Sequence, residues 1–204
     1  MTIDRSGFIG GGMLFLSIAR LKKAQLIQYK RVGIELRLDL FHHMDIEHVK
    51  SFLQDSVCPV MLTVRKISQG GKFQGTESER ESLIKRLLAL EPQFFDLEYD
   101  MNPSFLHEVI KKHPKTKFIL SYHHFQGNPT DLDEIYCSMQ QYTAFSYKIA
   151  VMAHSTNDAL KRLLFVKNHP KTSVICMGEK GKFARVLGPI AGNLIDYASL
   201  DSEE

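Results

Sequence analysis

Residues 146–153 read SYKIAVMA. The aromatic and β-branched make-up is that of a strand buried on both faces, yet a lysine, Lys148, stands near its head. Removing an ammonium from water costs several kcal/mol unless something compensates, so the side chain either escapes to solvent or sits inside for a purpose. Outward from this run, seven more of the same character recur: MLFLSIA (13–19), VGIELRL (32–38), PVMLTV (59–64), FFDLEY (94–99), KFILSY (117–122), SVICM (173–177) and NLIDYA (193–198). Between them lie stretches with helical spacing, at 20–29, 45–54, 76–90, 103–113, 131–143, 155–168 and 182–190. The third begins TESERES, where Thr76 or Ser78 can cap, and then repeats Leu83, Leu87 and Leu90 every three or four residues.

Strand and helix alternate throughout, which predicts right-handed crossovers and parallel strands. Eight strands predict a (β/α)8 TIM barrel, covering residues 13–204, with the last helix missing or truncated because only SLDSEE follows the eighth strand. The competing arrangement is an open doubly wound sheet, but its GxGxxG fingerprint after the first strand is absent. The Gly-rich leader of residues 1–12 is set aside as a segment that need not belong to the native fold, and it lacks the apolar core of a secretory signal.

The 204 residues are 44% hydrophobic and 24% charged, enough for one domain with its own core. Twenty-six Lys and Arg stand against 23 Asp and Glu, a formal charge of +3 spread along the chain, which disfavours nucleic acid as a partner. Cys58, Cys137 and Cys176 are far apart and make no zinc spacing, pointing to a reducing, cytoplasmic setting without structural metal. No apolar run approaches the roughly 20 residues a membrane span needs.

In a barrel, the C-terminal ends of the strands carry the chemistry. Those ends supply Ser17, Glu35 and Arg37, Arg65, Glu98, His123 and His124, Lys148 and Met177. Glu35, Arg37 and Asp39 are spaced by two and share a face. A structural ion-pair network is the plain explanation for them; a polar ligand is the other. For Lys148 the plain explanation is a side chain that snorkels to solvent. The sharper one is a buried amine that loses its proton readily and condenses with a ketone to an imine. His123, on the preceding strand, is then placed to move protons as general base and acid, while His124 points to the other side.

With GIELRLD, TVRKISQGG, FILSYHHF, YKIAVMA and VICMGEKGKFAR in this order, the chain resembles the type I 3-dehydroquinate dehydratases from about Met13 to Tyr197. The resemblance implies a TIM barrel that converts 3-dehydroquinate to 3-dehydroshikimate by syn elimination of water, without metal or organic cofactor, within the shikimate pathway. It implies Lys148 as the imine-forming lysine and His123 as the general acid/base. It assigns substrate binding to Ser17, Glu35, Arg37, Arg65 and Arg185, and an apolar wall near the imine to Met177. Arginines suit a carboxylate substrate, which a guanidinium grips through two parallel hydrogen bonds.

Two departures stand out. The family usually has EGG after the TxR strand, its Glu bonded to the catalytic histidine, where this chain has Gln69, Gly70 and Gly71. A motif resembling SAPGQ, part of a loop that closes over substrate, would fall beyond Glu204. Three other expectations belong to this reading. The family occurs fused to shikimate dehydrogenase, so a second domain and a homodimer are candidate partners. GEKGK (178–182) could cradle phosphate in another imine-forming barrel such as a class I aldolase. A catalytically weak binding or assembly domain is the alternative from outside the enzymes.

Overall fold

The computed structural model describes residues 12–24, 27, 32–127 and 129–199. The helix expected over 20–29 and the segment after the eighth strand therefore lie partly outside the described residues. Eight strands alternate with helices: β1 (Met13–Ile18), α1 (Leu21–Ala24), β2 (Gly33–Arg37), α2 (Ile46–Asp55), β3 (Val60–Thr63), α3 (Glu77–Leu88), β4 (Phe94–Glu98), α4 (Pro103–Lys112), β5 (Lys117–His124), α5 (Leu132–Met139), β6 (Ser146–Met152), α6 (Thr156–Asn168), β7 (Thr172–Met177), α7 (Lys182–Ala191) and β8 (Ile195–Ser199). All neighbouring strands are parallel, in the order β7-β6-β5-β4-β3-β2-β1-β8. This is the expected (β/α)8 barrel, and the open doubly wound sheet is excluded.

Closure between β7 and β8 uses a side chain. The Leu194 N–H donates to Thr172 O at 3.1 Å. The Asn193 amide accepts from the Val174 N–H at 2.9 Å and donates to the Val174 carbonyl at 3.1 Å, imitating a paired strand residue. Ser173 Oγ takes the Ile195 N–H at 2.8 Å. The seam thus satisfies main-chain groups that would otherwise be buried without partners.

Alternation along each strand divides two cores. Outward residues such as Leu36, Leu62, Phe95, Leu120, Ile149 and Val174 pack against the helices in one continuous cluster. Inward residues Phe15, Met61, Phe94, Ile119 and Ile195 form a separate plug in the lower barrel, with Tyr197 packed against it. Phe15 and Phe94 meet edge to face at 5.3 Å, a preferred aromatic geometry. Above this plug the inward positions turn polar.

The helices begin where the sequence provides caps. Thr76 and Glu79 form a capping box on α3, and Ser155 and Asp158 form another on α6. The buried stripe of α3 runs through Arg80, Ile84, Leu87 and Leu88, with Leu83 and Leu90 half-buried against the same core, so the expected leucine repeat faces inward. Arg80 adds a polar member to that face. It is buried, donates to Val64 O at 3.0 Å and pairs with Glu98, fastening α3 to the ends of β3 and β4.

Candidate active site

Register sets the layers of the polar upper barrel. Ser17 lies opposite Glu35, Ser121 opposite Lys148, and Lys148 opposite Ser173. His123 lies opposite Ala150, two residues beyond Lys148 on the adjacent strand. A rise of about 3.3 Å per residue and a strand spacing of about 4.8 Å put the two Cα atoms roughly 8 Å apart. Both side chains are turned inward and buried. His124 is on the opposite face, half-buried and stacked with Tyr122, as the alternation predicts.

Lys148 does not snorkel. Its residue is 4% exposed, with Nζ 3.3 Å from Asp96 Oδ2, 3.7 Å from Glu35 Oε1 and 3.7 Å from the centroid of the Tyr197 ring. Burial lowers its pKa most; Glu35 and Asp96 oppose this, while Arg65 and Arg37 reinforce it, and the net direction is down. The amine is therefore more easily freed of its proton than an exposed lysine.

Glu35 is the hub of the lower site. Ser17 Oγ donates to it, Thr63 Oγ1 donates at 2.9 Å, and Arg65 lies 3.7 Å away. Burial alone would raise its pKa, but Lys148, Arg65, Arg37 and the Ser17 bond together lower it to about 2, so it stays ionised. Arg65 also meets Asp96 at 3.3 Å, and its buried Nε has no hydrogen-bond partner among the described residues. Arg37 holds Asp39 through two bonds, at 3.0 and 2.9 Å, and Asp39 also accepts the Lys72 N–H at 3.1 Å. This pair props the loop after β3.

His123 is governed by the turn after β3. Its backbone N–H donates to Gln69 Oε1 at 2.8 Å, and its Nδ1 lies 3.2 Å from the same oxygen. Gly70 follows with φ +76, and a Cβ at Gly71 would sit 2.0 Å from Arg65 O, so both glycines are needed for the turn that delivers Gln69. Burial, then the charges of Arg65, Lys148 and Arg37, hold the imidazole well below its ordinary pKa. It is neutral at pH 7 and able to accept a proton.

The structure thus gathers Ser17, Glu35, Arg37, Arg65, His123 and Lys148 in the upper barrel. Arg185 is placed apart: it is exposed in the first turn of α7, and its charge acts on Cys176. Met177 lies opposite Met152 at the top of the β6–β7 pair. Sequence reading missed Asp96, whose Oδ1 also accepts from Ser121 Oγ at 2.6 Å. The signal was in FFDLE, where Asp96 interrupts an apolar run two residues before Glu98. It missed Thr63 and Tyr197 as well. Two surface clefts of about 570 and 670 Å³ lie elsewhere, and neither is lined by Lys148 or His123.

Comparison with known proteins identifies the family. The description "Type I 3-dehydroquinase" matches residues 18–204. The chain belongs to that family. A 3-dehydroquinate dehydratase of Dehalococcoides mccartyi is 34% identical over 191 residues, covering 90% of this chain and 83% of that protein. The crystal structure of a type I 3-dehydroquinate dehydratase from Clostridium difficile superposes with a TM-score of 0.83 at 25% identity, covering 95% of this chain and 87% of the other. A bifunctional 3-dehydroquinate dehydratase/shikimate dehydrogenase of Arabidopsis thaliana is 30% identical over 176 residues, which are 84% of this chain and 29% of that protein. Among the described residues no helix is long and apolar enough to cross a membrane, and no cluster of His, Cys, Asp and Glu is arranged to hold a metal.

Proposed function

We propose that this type I dehydroquinase is a hydro-lyase that converts 3-dehydroquinate to 3-dehydroshikimate in the shikimate pathway, with Lys148 as the imine-forming amine and His123 as the proton carrier. The observation that carries the assignment is the buried Lys148 amine, seated on an aromatic ring and flanked by Asp96 and Glu35.

The reaction follows from the chemistry of such an amine. Neutral Lys148 adds to the ketone, and loss of one water leaves an imine. Its protonated form draws electrons from the neighbouring carbon. His123, neutral in the resting site, takes a proton from that carbon. The electron pair left behind expels the β-hydroxyl, to which the imidazolium returns the proton, so that it leaves as water. Another water hydrolyses the imine and restores the lysine. The balance is one water lost per substrate.

Ser17, Glu35, Arg37 and Arg65 are the substrate-binding residues in this reading. The Nε–H of Arg65, without a hydrogen-bond partner among the described residues, supports a ligand oxygen there. Arg185, at the start of the helix that follows β7, is proposed as the grip on the substrate carboxylate. The free thiols of Cys137 and Cys176 fit a cytoplasmic setting. Relatives that carry both activities make a shikimate dehydrogenase unit the fused partner proposed for this domain.

The test is turnover, followed by the ultraviolet absorbance of the conjugated product. Wild-type chain should produce it and Lys148→Ala should not, with the far-ultraviolet dichroism of both unchanged. Undiminished turnover by Lys148→Ala would refute the covalent role.

A further inference from the structure

The usual partner of the family's histidine is a glutamate, and here it is Gln69. An amide has two unlike ends and can bond the histidine in either of two orientations, only one of which leaves Nε2 as the base. Both ends of the amide are held: the His123 backbone N–H donates to its oxygen at 2.8 Å, and a carboxylate one residue further out accepts from its NH₂. Gln69 Nε2 donates to Asp100 Oδ2 at 3.1 Å, and the Lys66 ammonium holds the same oxygen at 2.7 Å.

The hydrogen-bond chemistry of the chain leaves no freedom. A carboxylate only accepts, so the Gln69 group facing Asp100 must be the NH₂. The His123 backbone N–H only donates, so the group facing it must be the Gln69 carbonyl oxygen. Because that same oxygen faces Nδ1, the ring must carry its proton there. Nε2 is left with the lone pair, the form a general base requires.

We propose that Asp100, itself held by Lys66, is a positioning residue for His123, acting through the Gln69 amide to hold the imidazole in its Nδ1–H tautomer. The proposal rests on the reading of His123 as the proton carrier. It also changes what Gln69→Glu should do. A carboxylate at position 69 would face that of Asp100 at about 3 Å, and like charges so close resist joint ionisation. Gln and Asp thus form a matched pair, and the glutamate is restored only when Asp100 is neutralised as well.

The experiment compares wild type, Asp100→Ala, Asp100→Asn, Gln69→Glu and the double variant Gln69→Glu/Asp100→Asn. Asp100 is exposed in the turn after β4, so these chains should fold. In Asp100→Ala the expected loss is about tenfold in kcat, the lower end of what removing an outer partner of a functional histidine costs, with KM within twofold. The acid limb of kcat should move to lower pH, because losing the carboxylate makes the imidazolium easier to deprotonate. The ¹⁵N shifts of His123 should show the Nδ1–H form in wild type and a mixture in Asp100→Ala. Gln69→Glu should show no gain alone, while the double variant should recover at least the wild-type kcat. An unchanged kcat, pH limb and tautomer in both Asp100 variants would overturn the proposal, as would a rise in KM alone. His123→Ala separates the two readings: full activity there refutes the proton-carrier assignment itself, whereas its loss with unaltered Asp100 variants refutes only the relay.

Discussion

At the scale of single residues, Asp96 is the clearest addition to what the sequence offered. A carboxylate 3.3 Å from the amine favours its charged form, so Asp96→Asn should lower the Lys148 pKa further. The pH at which imine formation sets in, measured by single-turnover reduction, should fall by about one unit, the lower end of the effect expected from a carboxylate this close. His123→Ala should cost on the order of 10²- to 10⁴-fold in kcat, while reduction of the imine still labels the chain. Lys148, Glu35, Arg37, Arg65 and His123 were legible because each is a charged or titratable residue interrupting an apolar strand run. Asp96 carried the same signal in FFDLE and was passed over, whereas Thr63 carried none, since its role depends on which neighbours the barrel's register gives it. Tyr197 was hidden for the opposite reason: an aromatic in NLIDYA is ordinary core until the amine is seen on its face.

At the scale of elements, the alternation of apolar strands and periodic helices gave nearly every boundary, because parallel strands buried on both faces leave continuous apolar runs. What it could not give was the seam. Asn193 stood at the start of a presumed strand, yet it is the clamp on Val174 just before β8. Asn193→Ala should leave the Val174 N–H and carbonyl buried and without partners, at a cost of about 2–4 kcal/mol in urea unfolding. Asp196, bonded to the Asn193 amide at 2.8 Å, is raised by burial to about 6. Its stabilising contribution is present at low pH and is lost as pH rises through about 6. Asp196→Asn should therefore be neutral or stabilising at pH 7, with the gain vanishing near pH 4. On α3 the leucine repeat does face the core, but Arg80 could not be read as part of that face because an arginine looks polar in sequence, although it packs inward to reach Glu98.

At the scale of the whole molecule, the barrel carries its ionisable groups in opposition. His123 is held below its ordinary pKa, so the unfolded chain takes up that proton first and stability falls as pH drops below about 6.5. Burial raises Glu98 to about 7 against the pull of Arg80, and Asp196 to about 6, so the folded chain binds these protons first and gains stability over the same range. Two groups outweigh one, which predicts a urea midpoint that rises modestly as pH falls from 7 to 5. Below pH 4.5 Glu35 takes over. Its shift from 4.5 to about 2 is worth on the order of 3 kcal/mol, lost progressively toward pH 2. Glu35→Gln should flatten that acid decline, and a decline of wild-type steepness in the variant would show that Glu35 is not its source.

The covalent role of Lys148 is tested most directly by adding 3-dehydroquinate and borohydride together, digesting the chain and mapping the reduced adduct by mass spectrometry. The adduct should be found on the peptide containing Lys148 and on no other lysine. Full turnover without a Lys148 adduct, or an adduct formed equally well in Lys148→Ala, would contradict it.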